Sequence, residues 1–135
     1  MTSDLSPSLH VSEIVAKGHK RAALIHRAFV SRDLNVLLHT FLVYVRPLLK
    51  FSSIIWSPHT VKDVTAIESV QHHFTKRLPG FKMLCYHDRL QRLNIPSLEH
   101  RRLHTDLIWC YKIVFGMVDL KFDEFFECSP RCGTR

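Results

Sequence analysis

Glycine is scarce in this chain, with four in 135 residues and none beside another. That excludes the glycine-rich loops that cradle phosphates in nucleotide-binding folds. Neither a nucleophile elbow nor a His-Glu-x-x-His helix occurs, so hydrolase chemistry of those kinds has no motif to rest on. Cysteine is equally sparse. Cys85 and Cys110 fall among apolar or helical neighbours, and Cys128 and Cys132 have no second ligand pair at finger spacing. Nothing at the N-terminus resembles a secretory signal, so reduced thiols in an intracellular protein, nuclear or cytoplasmic, are expected. Long apolar runs are missing too. The longest, Val36 to Leu49, is broken by His39, Arg46 and Pro47 and falls short of the roughly 20 residues of a membrane span. No segment sustains the alternation of a half-buried strand.

What is present is positive charge and helical periodicity. Nineteen Lys and Arg against twelve Asp and Glu give a formal net charge of +7, which favours polyanionic partners because clustered cations release counterions when they meet phosphates. The charge is uneven: from His72 to His104 the bases Lys76, Arg77, Lys82, Arg89, Arg92, Arg101 and Arg102 are opposed only by Asp88 and Glu99.

The chain is long enough to bury a core. After Ser6-Pro7-Ser8, the residues Val11, Ile14, Gly18, Ala22, Ile25 and Phe29 recur every three or four positions, which predicts a helix with one apolar stripe and Lys17, Lys20 and Arg27 opposite it. Ser31-Arg32-Asp33 breaks this helix, and Asp33 is placed to cap a second, nearly all-apolar helix running to about Leu49, with Pro47 kinking or ending it. A third helix is expected from Thr60, with Val61, Val64, Ile67, Phe74 and Leu78 on its inner face, ending at Pro79-Gly80. A short helix from His87 to Leu93 follows. Ser97 then caps a long helix carrying Leu103, Leu107, Cys110, Tyr111 and Val114 on one side and stopping at Gly116. The fold expected is all-α, about five helices in a small irregular bundle over residues 1–127, with a disordered tail over 128–135.

Four blocks follow one another in fixed order: Tyr44-Val45-Arg46-Pro47, Trp56-Ser57-Pro58-His59, Phe74-Thr75-Lys76-Arg77-Leu78-Pro79-Gly80, and Ser97-Leu98-Glu99-His100-Arg101-Arg102-Leu103. Together they resemble the region that follows the catalytic palm in reverse transcriptases of non-LTR, LINE-like retrotransposons. That family holds two metal ions on palm aspartates, usually in an aromatic-x-Asp-Asp turn, and this chain has no adjacent Asp pair. The resemblance therefore implies a thumb-like helical region that rests on primer–template nucleic acid, with no catalytic residues, no metal and no cofactor of its own. It departs from the family pattern at His72-His73 and His104, where basic residues are common.

A thumb grips phosphates rather than reading bases, and Lys and Arg on helix faces suffice for that. The candidate contacts to a DNA or RNA duplex or single strand are Lys76 and Arg77 with Arg101 and Arg102, and Lys17 and Lys20 as a second part. The plainer reading is that these are solvated helix faces. His100 and His104 share a helix face at metal-ligand spacing but lack a third ligand. His72-His73 reads either as a pH-sensitive phosphate anchor or as two partly exposed helix histidines. Trp56, Trp109, Tyr44 and Tyr111 are expected in the core, with stacking on nucleobases as the alternative. A competing function is a helical interaction module that self-associates through an apolar face otherwise turned to the palm. A third reading is a non-functional product of a degraded element. Membrane partners and small-molecule substrates are not expected.

Overall fold

In the computed structural model, residues 7–50, 58, 60–124 and 126–127 are described, and they form an all-α fold with no strand among them. Six helices follow in order: α1 (Pro7–Ala28), α2 (Leu34–Tyr44), α3 (Arg46–Lys50), α4 (Val61–Lys76), α5 (Tyr86–Leu93) and α6 (Leu98–Val114), with a 3-10 turn at Phe122–Glu124. α2 and α3 are two arms of one bent path, since Val45 N–H still donates to Phe41 O and Leu49 N–H to Val45 O. Pro47 supplies the bend, because it has no N–H to give Val43 and its ring crowds that carbonyl. The expected onward bend through Ile54-Ile55-Trp56, the Ser57 turn and the 128–135 tail with Cys128 and Cys132 lie outside the described residues.

The chain divides into two compact units, Met1–Arg102 and Leu103–Arg135. The core of the first is built on α4. Its buried face is Asp63, Ile67, Val70, Gln71, Phe74 and Thr75, recurring at helical spacing, with Phe74 stacked on Phe41 of α2 at 4.2 Å between ring centroids. Val61 was expected on this face but is 83% exposed, because the helix begins there and its inner stripe starts only at Asp63. α1 lays the expected stripe of Val11, Gly18, Ala22 and Ile25 against the core. α1 and α4 run in the same direction, as Ser8 donates to Asp63, His19 meets Ser69, and the His26 ring lies 4.7 Å from that of Phe74.

Local signals set the helix ends. Asp33 accepts Asn35 N–H, Thr60 accepts Asp63 N–H and Ser97 accepts His100 N–H, each satisfying a donor that the helix cannot. α5 starts at Tyr86, one residue before the expected start, with the Cys85 sulfur accepting Asp88 N–H. It closes at Asn94, whose φ of 51° is left-handed and whose neighbour Ile95 donates back to Leu90 O, the paired bonding of a Schellman end.

Buried and half-buried polar groups tie α5 and the start of α6 to α4. Glu68 of α4 accepts the Tyr86 hydroxyl and the backbone N–H groups of Leu98 and Glu99, at 3.0 and 3.2 Å for the two amides. It thus caps α6 from another helix. Gln71 Nε2 donates to Tyr86 Oη and Pro96 O, and Arg46 Nη2 to Pro96 O at 2.9 Å. Arg89, 2% exposed, donates to His72 O and Thr75 Oγ1. Burial, then the Arg101 charge, pulls Arg46 below the usual arginine value, while Glu68 and Tyr86 pull it back up. Burial and the bond to Glu68 push the Tyr86 phenol above its usual value. A buried cation without partners is costly, and these carbonyls and the carboxylate are what make Arg46 and Arg89 tolerable.

The second unit carries the remainder of α6. Gly116, with φ of 62°, lets Met117 N–H reach Lys112 O and ends the helix as expected. Leu103, Leu107, Tyr111 and Val114 share one side of it, each more than half exposed. Tyr111 at 53% and Tyr44 at 63% exposure overturn their core assignment. Tyr111 instead packs on Phe115 along the helix surface, and Tyr44 offers its carbonyl, rather than its ring, to Arg21 at 3.0 Å. Trp109 is half-buried under the Lys112 ammonium, 5.5 Å from its ring centroid, and Trp56 lies outside the described residues.

Candidate polyanion-binding site

Because α1 and α4 run in parallel, their C-terminal ends come out on the same side of the first unit. Between those ends is a concavity of about 520 Å³, lined by His26, Phe29, Arg32, Leu37, Lys76, Arg77, Leu78, Pro79, Gly80 and Lys82. Four are cations and none is acidic. Lys76 ends α4 and Arg77 is its C-cap. Arg32 stands in the break after α1. Lys82 follows the turn Leu78-Pro79-Gly80-Phe81, closed by Phe81 N–H donating to Leu78 O at 3.2 Å. Pro79 sits where φ must be near −65° and Gly80, φ 79°, where only glycine is at ease, which is the pattern of a type II turn. The turn brings the backbone at Lys82 back beside the end of α4, where Lys76 and Arg77 line the same concavity.

All four cations are exposed, while Leu37 and Leu78 are buried and Phe29 half-buried, giving an apolar floor under a basic rim. Cations at helix C-termini are ordinary, since they meet the partial negative charge of the last carbonyls. Magnitudes decide what is left over. Two helix ends contribute about half a negative charge each, against four full positive charges on the lining. The surplus is large and positive.

His26 registers this field. Burial first, then the charges of Arg77 and Arg32, push its imidazole below the usual histidine value of 6.5, and its Nε2 is buried without a hydrogen-bond partner. His72 is lowered by burial and then by Arg89, His73 and Lys76, and His19 by burial and then by His73. Each of the three therefore binds a proton more readily in the unfolded chain. As pH falls below about 6.5, unfolding takes up protons, so stability is intact above that value and is lost until the folded-state values are passed. The melting temperature is expected to be lower at pH 5.5 than at pH 7.5, and His26→Leu should shrink the difference in a calorimetric comparison.

The six residues singled out from sequence are not gathered in one place. Lys76 and Arg77 line the concavity and Arg101 and Arg102 do not. These two sit half-buried near the start of α6, where the Arg101 charge bears on Arg46 and Arg102 Nη1 is buried. Lys17 and Lys20 are exposed on α1 and also outside the concavity. Arg32 and Lys82 complete the site and were not singled out. Their signal was position, each lying just past a helix end or turn where charge collects. Among the described residues no group of three or more His, Cys, Asp or Glu side chains could hold a metal ion, and no helix is long and apolar enough to cross a membrane. Searches of protein-family models, of curated proteins and of solved structures find no match to this chain.

Proposed function

We propose that this chain is a thumb-like, non-catalytic portion of a non-LTR retrotransposon reverse transcriptase that binds nucleic acid through phosphates, without regard to sequence. The observation that carries the binding is the concavity rimmed by Arg32, Lys76, Arg77 and Lys82 with no acidic lining residue. The ordered sequence blocks support the family, and the all-α fold is compatible with it. Each phosphate neutralised releases counterions, so affinity falls steeply with salt.

The double variant Lys76→Glu/Arg77→Glu tests this reading. Both side chains are exposed, so circular dichroism should be unchanged. Binding to a labelled oligonucleotide is expected to weaken by about a hundredfold in low salt, with a shallower dependence on salt concentration. Unchanged affinity and slope would remove the site from the reading.

A second reading, self-association, is favoured by one observation. Leu103, Leu107, Cys110 and Val114 are all exposed and step by four, three and four residues, the seam of a two-helix coil. A second copy of the same helix is the partner such a seam fits. Sedimentation of the same samples separates the readings: a monomer with salt-dependent binding supports the first, an oligomer indifferent to salt the second.

A further inference from the structure

We infer that the concavity holds one unpaired nucleotide of a single-stranded nucleic acid, its phosphates on Arg32, Lys76, Arg77 and Lys82 and its base against Phe29. This rests on the nucleic-acid reading above and names the form of polymer that the site takes. Shape carries the first step. A volume of about 520 Å³ lies within the range of about 300–1,000 Å³ of sites that enclose small ligands. A double helix turns its bases inward and can offer such a hollow only its sugar–phosphate edge, leaving the floor untouched. A single strand can put a whole nucleotide inside.

The lining carries the second step. A surface made only for phosphates needs cations alone, yet these four share the lining with Phe29, Leu37, Leu78 and Pro79. Phe29 is half-buried rather than sealed in the core, so part of its surface remains open to a base, and stacking on an aromatic ring accepts every base. Cationic rim and apolar floor together match the two chemistries of a nucleotide. The third step is order. The Pro79-Gly80 turn, closed by Phe81 N–H on Leu78 O, holds the backbone between the end of α4 and Lys82, so less backbone ordering is lost on binding. The charges of Arg77 and Arg32 bear on His26, on the wall of the same hollow, consistent with both guanidinium groups projecting their field into it.

The test compares fluorescence anisotropy of a labelled ten-nucleotide oligothymidylate with that of a labelled blunt hairpin duplex carrying the same number of phosphates. The full chain is used, as wild type, Arg32→Ala/Lys82→Ala, Phe29→Leu, and Lys17→Ala/Lys20→Ala. The single strand is expected to bind about tenfold or more tightly than the hairpin. Phe29→Leu, which keeps the apolar volume and the fold but removes the ring, should cost the single strand about tenfold and the hairpin little. Arg32→Ala/Lys82→Ala should weaken the single strand by about tenfold or more, and Lys17→Ala/Lys20→Ala should have the smaller effect. Equal affinity for both ligands, with Phe29→Leu silent, overturns the inference while leaving phosphate binding in place. Thymidine monophosphate competing as well as the oligomer at equal nucleotide concentration overturns it in favour of a free-nucleotide site. Absence of binding to either nucleic acid overturns the nucleic-acid reading itself, and the inference with it.

Discussion

Gly18→Leu is expected to unfold the first unit or to leave it about 3 kcal/mol or more less stable, at the upper end of the cost of overpacking a filled core. Gly18 is buried in α1, and a β-carbon added there would come 3.1 Å from Leu49 Cδ2 and 3.3 Å from Val70 Cγ1. Both neighbours are themselves buried, 5% and 0% exposed, so neither can swing away. Leucine adds three carbons beyond the β-carbon, and the only relief is for α1 to lift from α3 and α4. Gly18→Ala gives the informative contrast. It places a single carbon in the tight contact, while alanine in a helix interior gains about 1 kcal/mol over glycine; the two effects are similar in size, so stability should change little. Urea unfolding followed by circular dichroism measures both. If Gly18→Leu unfolds at the wild-type midpoint, the close approach of the three helices is wrong.

This contact shows what the sequence made legible. The stripe from Val11 to Phe29 repeats with the period of a helix, and a glycine at its centre is where another helix can come near. The caps at Asp33 and Ser97 and the stop at Gly116 were equally plain, because each is a local bond between neighbours in sequence. What could not be read are the pairings over long separations. Arg46 reaches Pro96 across 50 residues, Glu68 reaches Leu98 across 30 and Arg89 reaches His72 across 17. A sequence shows that Arg89 is charged, not that the His72 carbonyl and the Thr75 hydroxyl of α4 will meet it. A clue was there: Arg89 lies three residues after Tyr86 and four before Leu93, on the buried face of α5. A cation on an apolar face calls for hydrogen-bonding partners from elsewhere.

The candidate site divides in the same way. Lys76 and Arg77 were legible as an exposed basic pair, but their company was not, because the concavity exists only where two parallel helices end side by side. Arg32 enters it from the far end of α1 and Lys82 from beyond a turn. Arg101 and Arg102 are also an adjacent basic pair within one of the four sequence blocks, and folding put them half-buried on α6, outside it. Charge density along a chain identifies how many cations there are. Which of them share a hollow depends on helix direction, a property of the packed core.

Glu68→Ala should produce the second large effect, because one carboxylate serves three purposes. It accepts the first N–H groups of α6, which have no partner within their own helix. It takes the hydrogen bond of the Tyr86 hydroxyl, whose oxygen accepts from Gln71 Nε2. Its charge also offsets the burial of Arg46. Loss of a helix cap costs about 1 kcal/mol, and loss of a hydrogen bond to a charged group about 1.5–3 kcal/mol, so a total of about 3 kcal/mol is expected once the contributions overlap. Glu68→Gln, which keeps an acceptor oxygen but removes the charge, should lose about half as much. Tyr86→Phe should lose less than Glu68→Ala, since the α6 cap survives. The distinguishing readout is amide hydrogen exchange at Leu98 and Glu99. In Glu68→Ala these two amides should exchange markedly faster while those of the α4 core slow or speed only with global stability. Equal acceleration throughout the first unit would mean that Glu68 contributes only to overall stability and does not fasten the start of α6 to α4.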